Sequence, residues 1–198
     1  MRELSLHILD IVENGVTAGA DCIHIDVIES RRDDVLTIKI RDNGRGIPAA
    51  KLERLKDPFV TSRTTRRVGL GLPLLAAAAE RCDGNLAVAV GTTGGTEVTA
   101  TFRYSHIDRA PMGDMAATMA TLLMGNPQID FAYSHVIDGE EFILDTRELK
   151  KELGDHALED PMVIHHLGKS IRASLKQLVS NPDKPEAREK NHGKTNDR

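Results

Sequence analysis

Asp42-Asn43-Gly44-Arg45-Gly46-Ile47-Pro48 is the stretch that decides how this chain is read. It follows Val35-Leu36-Thr37-Ile38-Lys39-Ile40-Arg41, whose apolar-polar alternation predicts a half-buried strand, and breaks it with two glycines and a proline. A carboxylate at a strand end, with glycines at the next even steps, lets something flat and polar lie against the backbone. Glycine permits that approach because it has no side chain and reaches dihedrals closed to other residues. A second pair, Gly69-Leu70-Gly71, opens the next helix after a basic, hydroxyl-rich loop. The first expectation is that Asp42 holds a base and the second pair receives phosphates.

Upstream, residues 3–18 have helical periodicity: Leu4, Ile8, Ile11 and Val12 form one stripe, and His7, Asp10, Asn14 and Thr17 another. Gly15 within this helix costs about 1 kcal/mol relative to alanine, which suggests a close neighbour beside Asn14. Residues 22–29 alternate as a strand and should pair with 35–41 as an antiparallel hairpin. Downstream, 48–56 suit a short helix, and 57–68 a mobile loop holding Arg63, Arg66 and Arg67. A helix over 69–82 tolerates Pro73 in its first turn. Strands over 86–90 and 97–104 flank a glycine turn. Helices gathered on one side of a mixed sheet make a two-layer α/β sandwich of the α+β class.

From Ser105 the pattern changes. A helix over 112–124, a hairpin of strands 129–137 and 141–146 around Asp138-Gly139, a short helix 147–153 and a helix from Pro161 to Val179 are expected. The predicted organisation is a domain over 1–104, a small α/β extension over 105–180 and a disordered tail over 181–198.

Composition narrows the classes. The 198 residues are 40% hydrophobic and 28% charged, an ordinary globular balance. The net charge of −4 argues against nucleic-acid binding, and 3% aromatics without tryptophan argue against a base-stacking platform. Cys22 and Cys82 have no metal-ligand spacing and suit a reducing cytosol. No secretory leader is apparent and no run approaches the ~18 apolar residues of a membrane span, so a cytoplasmic location is expected.

Three dispersed motifs carry the chemistry. In Asp10-x-x-x-Asn14 the two side chains lie one turn apart on one face. The asparagine amide oxygen is a hard ligand suited to Mg²⁺, and the carboxylate can orient or deprotonate a water. In Asp42-x-Gly44-x-Gly46 the carboxylate can accept a hydrogen bond from the exocyclic amine of adenine, where guanine presents a carbonyl. Gly69-x-Gly71 at a helix start offers free N–H groups and a helix dipole to phosphate, with Arg63 and Arg66 as clamps. A P-loop signature is absent.

In these motifs the sequence resembles the GHKL ATPase superfamily, which includes gyrase, the ninety-kilodalton heat-shock chaperone, histidine kinases and the mismatch-repair ATPases. The resemblance covers residues 3–104. Leu9 to Ala20 is similar to the asparagine box, Asp42 to Pro48 to the first glycine box, and Asp57-Pro-Phe-Val-Thr-Ser-Arg63 to the start of a kinase lid. Val68-Gly-Leu-Gly-Leu72 is similar to the second glycine box, and Gly94-Gly-Thr96 to the last element of the fold.

The resemblance implies a Bergerat-type ATP-binding fold with ATP and Mg²⁺ as cofactors. Asn14 would bind the metal and Asp42 the adenine amine. Gly44, Gly46, Ile47, Gly69, Leu70, Gly71, Leu72 and Thr96 would line the pocket. Hydrolytic members have glutamate where this chain has Asp10, one methylene shorter. Kinases place a phosphoacceptor hairpin before this domain; the sequence starts at the asparagine-box helix, so a phosphoacceptor is expected on a separate partner protein. The expected function is ATP hydrolysis or phosphate transfer to that partner, as in kinase signal transduction. A non-catalytic ATP sensor is the alternative, and a homodimer is open.

Overall fold

The computed structural model describes residues 2–47, 71–91 and 94–180. The expected short helix over 48–56, the loop over 57–68 and the tail over 181–198 lie outside the described residues.

Helix α1 (Leu4–Thr17) forms on the expected stripe, with Leu4, Ile8, Ile11 and Val12 all buried. The N-cap residue, Glu3, makes no side-chain cap hydrogen bond. Leu4 and Ser5 donate their N–H groups to the carbonyls of Pro111 at 3.0 Å and Met112 at 2.8 Å, so a distant segment closes the helix end. Gly19, at φ +78°, terminates the helix by donating to the Val16 carbonyl at 2.9 Å.

Strands β1 (Cys22–Ser30) and β2 (Val35–Asp42) form the expected antiparallel hairpin. Helix α2 (Gly71–Arg81), β3 (Asn85–Val90) and β4 (Thr96–Arg103) follow. Then come α3 (Met115–Gly125), β5 (Asp130–Ile137), β6 (Glu140–Asp145), α4 (Thr146–Leu153), a 3₁₀ turn (Ala157–Glu159) and α5 (Pro161–Ser180). Helix α3 begins three residues later than its periodicity suggests. Gly113 turns the chain at φ +85°, and Asp114 caps the helix by accepting from the Ala117 N–H at 2.9 Å. The β5–β6 turn has positive φ at both Asp138 (+48°) and Gly139 (+92°), the requirement of a type I′ hairpin.

The described strands make one mixed sheet in the order β3-β4-β2-β1-β5-β6. Only β1 and β5 run parallel. Residues beyond 105 therefore extend the sheet itself, with β5 placed directly against β1.

One sheet face is apolar: Ile23, Ile25 and Val27 align with Leu36, Ile38 and Ile40, with Val98, Ala100 and Phe102, and with Phe131 and Tyr133. Leu72 and Leu75 of α2, Met115 and Met119 of α3, and Ile164 and Ile171 of α5 join this core with the α1 stripe. The opposite face is polar, crossed by ion pairs Arg41–Asp26 at 2.7 Å and Lys39–Glu97 at 3.0 Å. No helix among the described residues is long and apolar enough to cross a membrane.

Candidate nucleotide-binding site

Strand alternation places Asp42 on the apolar face. It continues the stripe Leu36, Ile38, Ile40 and stands between Ile23 on β1 and Thr96 on β4. A carboxylate in that row would be a defect in a closed core. Here it falls at the sheet end, beside Gly15 in the C-terminal half of α1, and is only partly buried. Its Oδ1 accepts from the Gly44 N–H at 2.9 Å, and Oδ2 has no hydrogen-bond partner among the described residues. One oxygen is thus fixed by its own turn.

The turn is held rigidly. The Asn43 Oδ1 accepts from the N–H groups of Asp21 (3.0 Å) and Cys22 (3.1 Å), and the Arg45 N–H donates to the Ala18 carbonyl at 3.1 Å. Gly46 and Gly95 meet backbone to backbone: both have positive φ (+71° and +73°), and a Cβ on Gly46 would lie 2.9 Å from the Gly95 carbonyl. A Cβ on Gly95 would overlap the Asp42 carbonyl. Thr96, which follows, is buried and directly opposite Asp42. Ile47 is half-buried and packs on the core, and Leu72 lies within it.

Helix α1 supplies the second group of residues. Asn14 is exposed, and its side-chain N–H donates to the Asp10 carbonyl at 2.9 Å. The Asp10 carboxylate presses against Gly71, the first residue of α2, so closely that any Cβ there would overlap Oδ2. An anion at that place is stabilised by the positive end of the helix. Gly15, next along α1, faces the Asp42 side chain. The residue whose helix cost pointed to a close neighbour has Asp42 as that neighbour.

The structure thus brings together Asp10, Asn14, Asp42, Gly44, Gly46, Gly71 and Thr96. Arg63, Arg66, Gly69 and Leu70 lie outside the described residues. Sequence reasoning missed Asn43, whose signal (an asparagine after a strand-end aspartate) is common to ordinary turns. His7, on the same stripe as Asp10, is buried, with Nδ1 unpartnered among the described residues. Burial and the N-terminal charge hold its pKa below the usual histidine value, partly offset by Asp10. A sealed imidazole is poorly placed to accept a phosphoryl group.

Comparison with known proteins decides the family. The family described as histidine kinase-, DNA gyrase B-, and HSP90-like ATPase matches residues 2–106, just over half of the chain. The chain belongs to this family. All of the candidate site residues named above fall in the matched span. Over 58 residues the chain is 38% identical to the sensor protein kinase FleS of Pseudomonas aeruginosa, covering 29% of this chain and 14% of that kinase. It therefore spans about a seventh of that relative's length. Among solved structures it is similar to the ATP binding domain of PrrB from Mycobacterium tuberculosis, with 24% identity, TM-score 0.38, and 50% and 64% of the two chains covered. It is also similar to the Aquifex aeolicus MutL ATPase domain complexed with ADP, with 14% identity, TM-score 0.42, and 78% and 68% covered.

Proposed function

We propose that this GHKL-family domain binds Mg-ATP in the opening between α1, the Asp42 turn and the start of α2, and hydrolyses it or passes its phosphate to a separate protein. One observation carries the reading. A single helix, α1, faces the Asp42 carboxylate through Gly15 and the α2 N-terminus through Asp10, with Asn14 between.

The free Asp42 oxygen accepts the adenine amine, and the Gly46–Gly95 contact keeps the wall beside it free of side chains. The N–H groups opening α2 take phosphate oxygens. Among the described residues no group of three or more His, Cys, Asp or Glu side chains could hold a metal. Mg²⁺ keeps several waters and binds through few protein ligands plus substrate phosphates. Asn14 would be its protein ligand, and the ion would supply charge neutralisation between the phosphates and the Asp10 carboxylate. Asp10, moved off Gly71 by the incoming phosphates, orients the attacking water or hydroxyl and accepts its proton.

The Asp10–Gly71 contact also favours a second reading. If the carboxylate stays on the helix end, the domain binds nucleotide without turnover and acts as a sensor. Labelled ATP incubated with the protein and with cell lysate separates the two. Phosphate released or transferred by wild type and lost in Asp10→Ala supports the enzyme. Binding with neither release nor transfer supports the sensor. No Mg-ATP binding at millimolar concentration removes both.

A further inference from the structure

The two edges of the sheet are built differently. The β6 edge, Glu140-Glu141-Phe142-Ile143-Leu144-Asp145, carries three carboxylates in six residues, the usual guard against strand addition. The β3 edge, Asn85-Leu86-Ala87-Val88-Ala89-Val90, carries no charge, no proline and no bulge in its pairing with β4. Its outward backbone groups face no strand among the described residues. Val90 is 60% exposed although it stands on the apolar face of the sheet.

We propose that β3 is a docking edge for a second copy of this chain, joined antiparallel about a two-fold axis through Val88. The sequence of the strand is self-complementary about that axis. A two-fold axis perpendicular to the sheet keeps the faces matched and pairs Leu86 with the partner's Val90, Val88 with the partner's Val88, and Ala87 with the partner's Ala89. Apolar residues meet on the core face, where Val90 gains cover, and small residues meet on the open face, where nothing hinders close approach. Such an interface is isologous and closes at two copies. The same pairing through β6 in a face-matched register sets Glu141 opposite the partner's Asp145 or Ile143, so it is opposed or unmatched.

The experiment is sedimentation of the full chain over a concentration series, with and without Mg-ATP. Wild type is expected to move from 21.7 kDa towards twice that mass. Ala87 and Ala89 are exposed and belong to no part of the proposed site. Ala87→Lys/Ala89→Lys alone and Ala87→Glu/Ala89→Glu alone are each expected to remain at 21.7 kDa, with nucleotide binding unchanged. Mixing the two variants is expected to restore the dimer, because each lysine then faces a partner glutamate. A wild type that stays monomeric at the highest concentration overturns the proposal, including the case where the edge binds an extended segment of another protein. Variants that dimerise alone like wild type, or fail to dimerise when mixed, overturn the register. None of these outcomes depends on whether ATP is turned over.

Discussion

A β carbon on Gly15 would stand 3.0 Å from the Cβ of Asp42 and 3.4 Å from its Cγ, so the bare backbone of α1 is what leaves room for that carboxylate beside the helix. The neighbour that would have to yield is anchored in a strand. Gly15→Ala adds about 1 kcal/mol of helix propensity and crowds Asp42 by a similar order. Its unliganded melting temperature is therefore expected near that of wild type, while its Mg-ATP-induced shift shrinks. Gly15→Val, with two more carbons, should abolish the shift. Retention of the full shift in Gly15→Val would remove Asp42 from the base-recognition role.

Asp42 itself offers a test by nucleobase. On the proposed reading its Oδ2, which has no hydrogen-bond partner among the described residues, accepts from the C6 amine of adenine, where guanine presents a carbonyl. Wild type at 100-fold above its dissociation constant gains roughly 2.7 kcal/mol from ligand. Thermal shifts should appear with Mg-ATP and be absent with Mg-GTP. In Asp42→Asn the charge-assisted bond is replaced by a neutral one about half as strong, so the ATP shift should fall sharply. Equal shifts with both nucleotides would show that the base is not read here.

The Asp10–Gly71 contact can be isolated by a double-mutant cycle. Gly71→Ala drives a methyl into the Asp10 carboxylate and is expected to lower stability. Asp10→Ala removes the obstacle, so Gly71→Ala should cost little in that background. A coupling of about 0.5–3 kcal/mol is expected for groups in direct contact. Additive effects in denaturant unfolding would mean that the two do not touch in solution.

Local pattern carried much of this molecule. The α1 stripe, the β1–β2 hairpin and the Asp138-Gly139 turn follow from short-range periodicity and turn chemistry, and each element formed close to its expected bounds. The candidate site was legible because its residues bear glycine or carboxylate at places where a plain helix or strand gains nothing from them: Gly15, Asp42, Gly71. What was hidden depends on contacts distant in sequence. Parallel pairing of β5 with β1 leaves no local mark, since a strand of alternating residues fits beside any neighbour. The carbonyls of Pro111 and Met112 close the start of α1 through backbone atoms, which every residue possesses. The clamp made by Asn43 on Asp21 and Cys22 likewise appears only once the turn is folded.

The far end of β1 holds a buried polar chain that should matter for stability alone. Tyr133 and His135 lie 2.7 Å apart through the hydroxyl and Nδ1, and His135 Nε2 lies 2.8 Å from the Glu29 carboxylate. Burial, then the Glu29 charge, pushes the Tyr133 phenol far above its usual pKa, so it keeps its proton and donates to Nδ1. Nε2–H then donates to Glu29, and every member is satisfied. Tyr133→Phe leaves Nδ1 buried without a partner and should cost about 1–3 kcal/mol. Nucleotide binding should be unaffected, because Glu29 stands six residues along β1 from Ile23, the strand neighbour of Asp42, or about 20 Å. The pH dependence has a definite sign. The folded pKa is raised, so the folded state binds more protons than the unfolded state once the unfolded phenol ionises near pH 10. Stability from this group is complete below that pH and falls above it, at about 1.4 kcal/mol per pH unit. Denaturant titrations from pH 9 to 11 should show a steeper alkaline loss in wild type than in Tyr133→Phe. Parallel curves would mean that Tyr133 ionises equally easily in both states and that the chain to Glu29 is not closed.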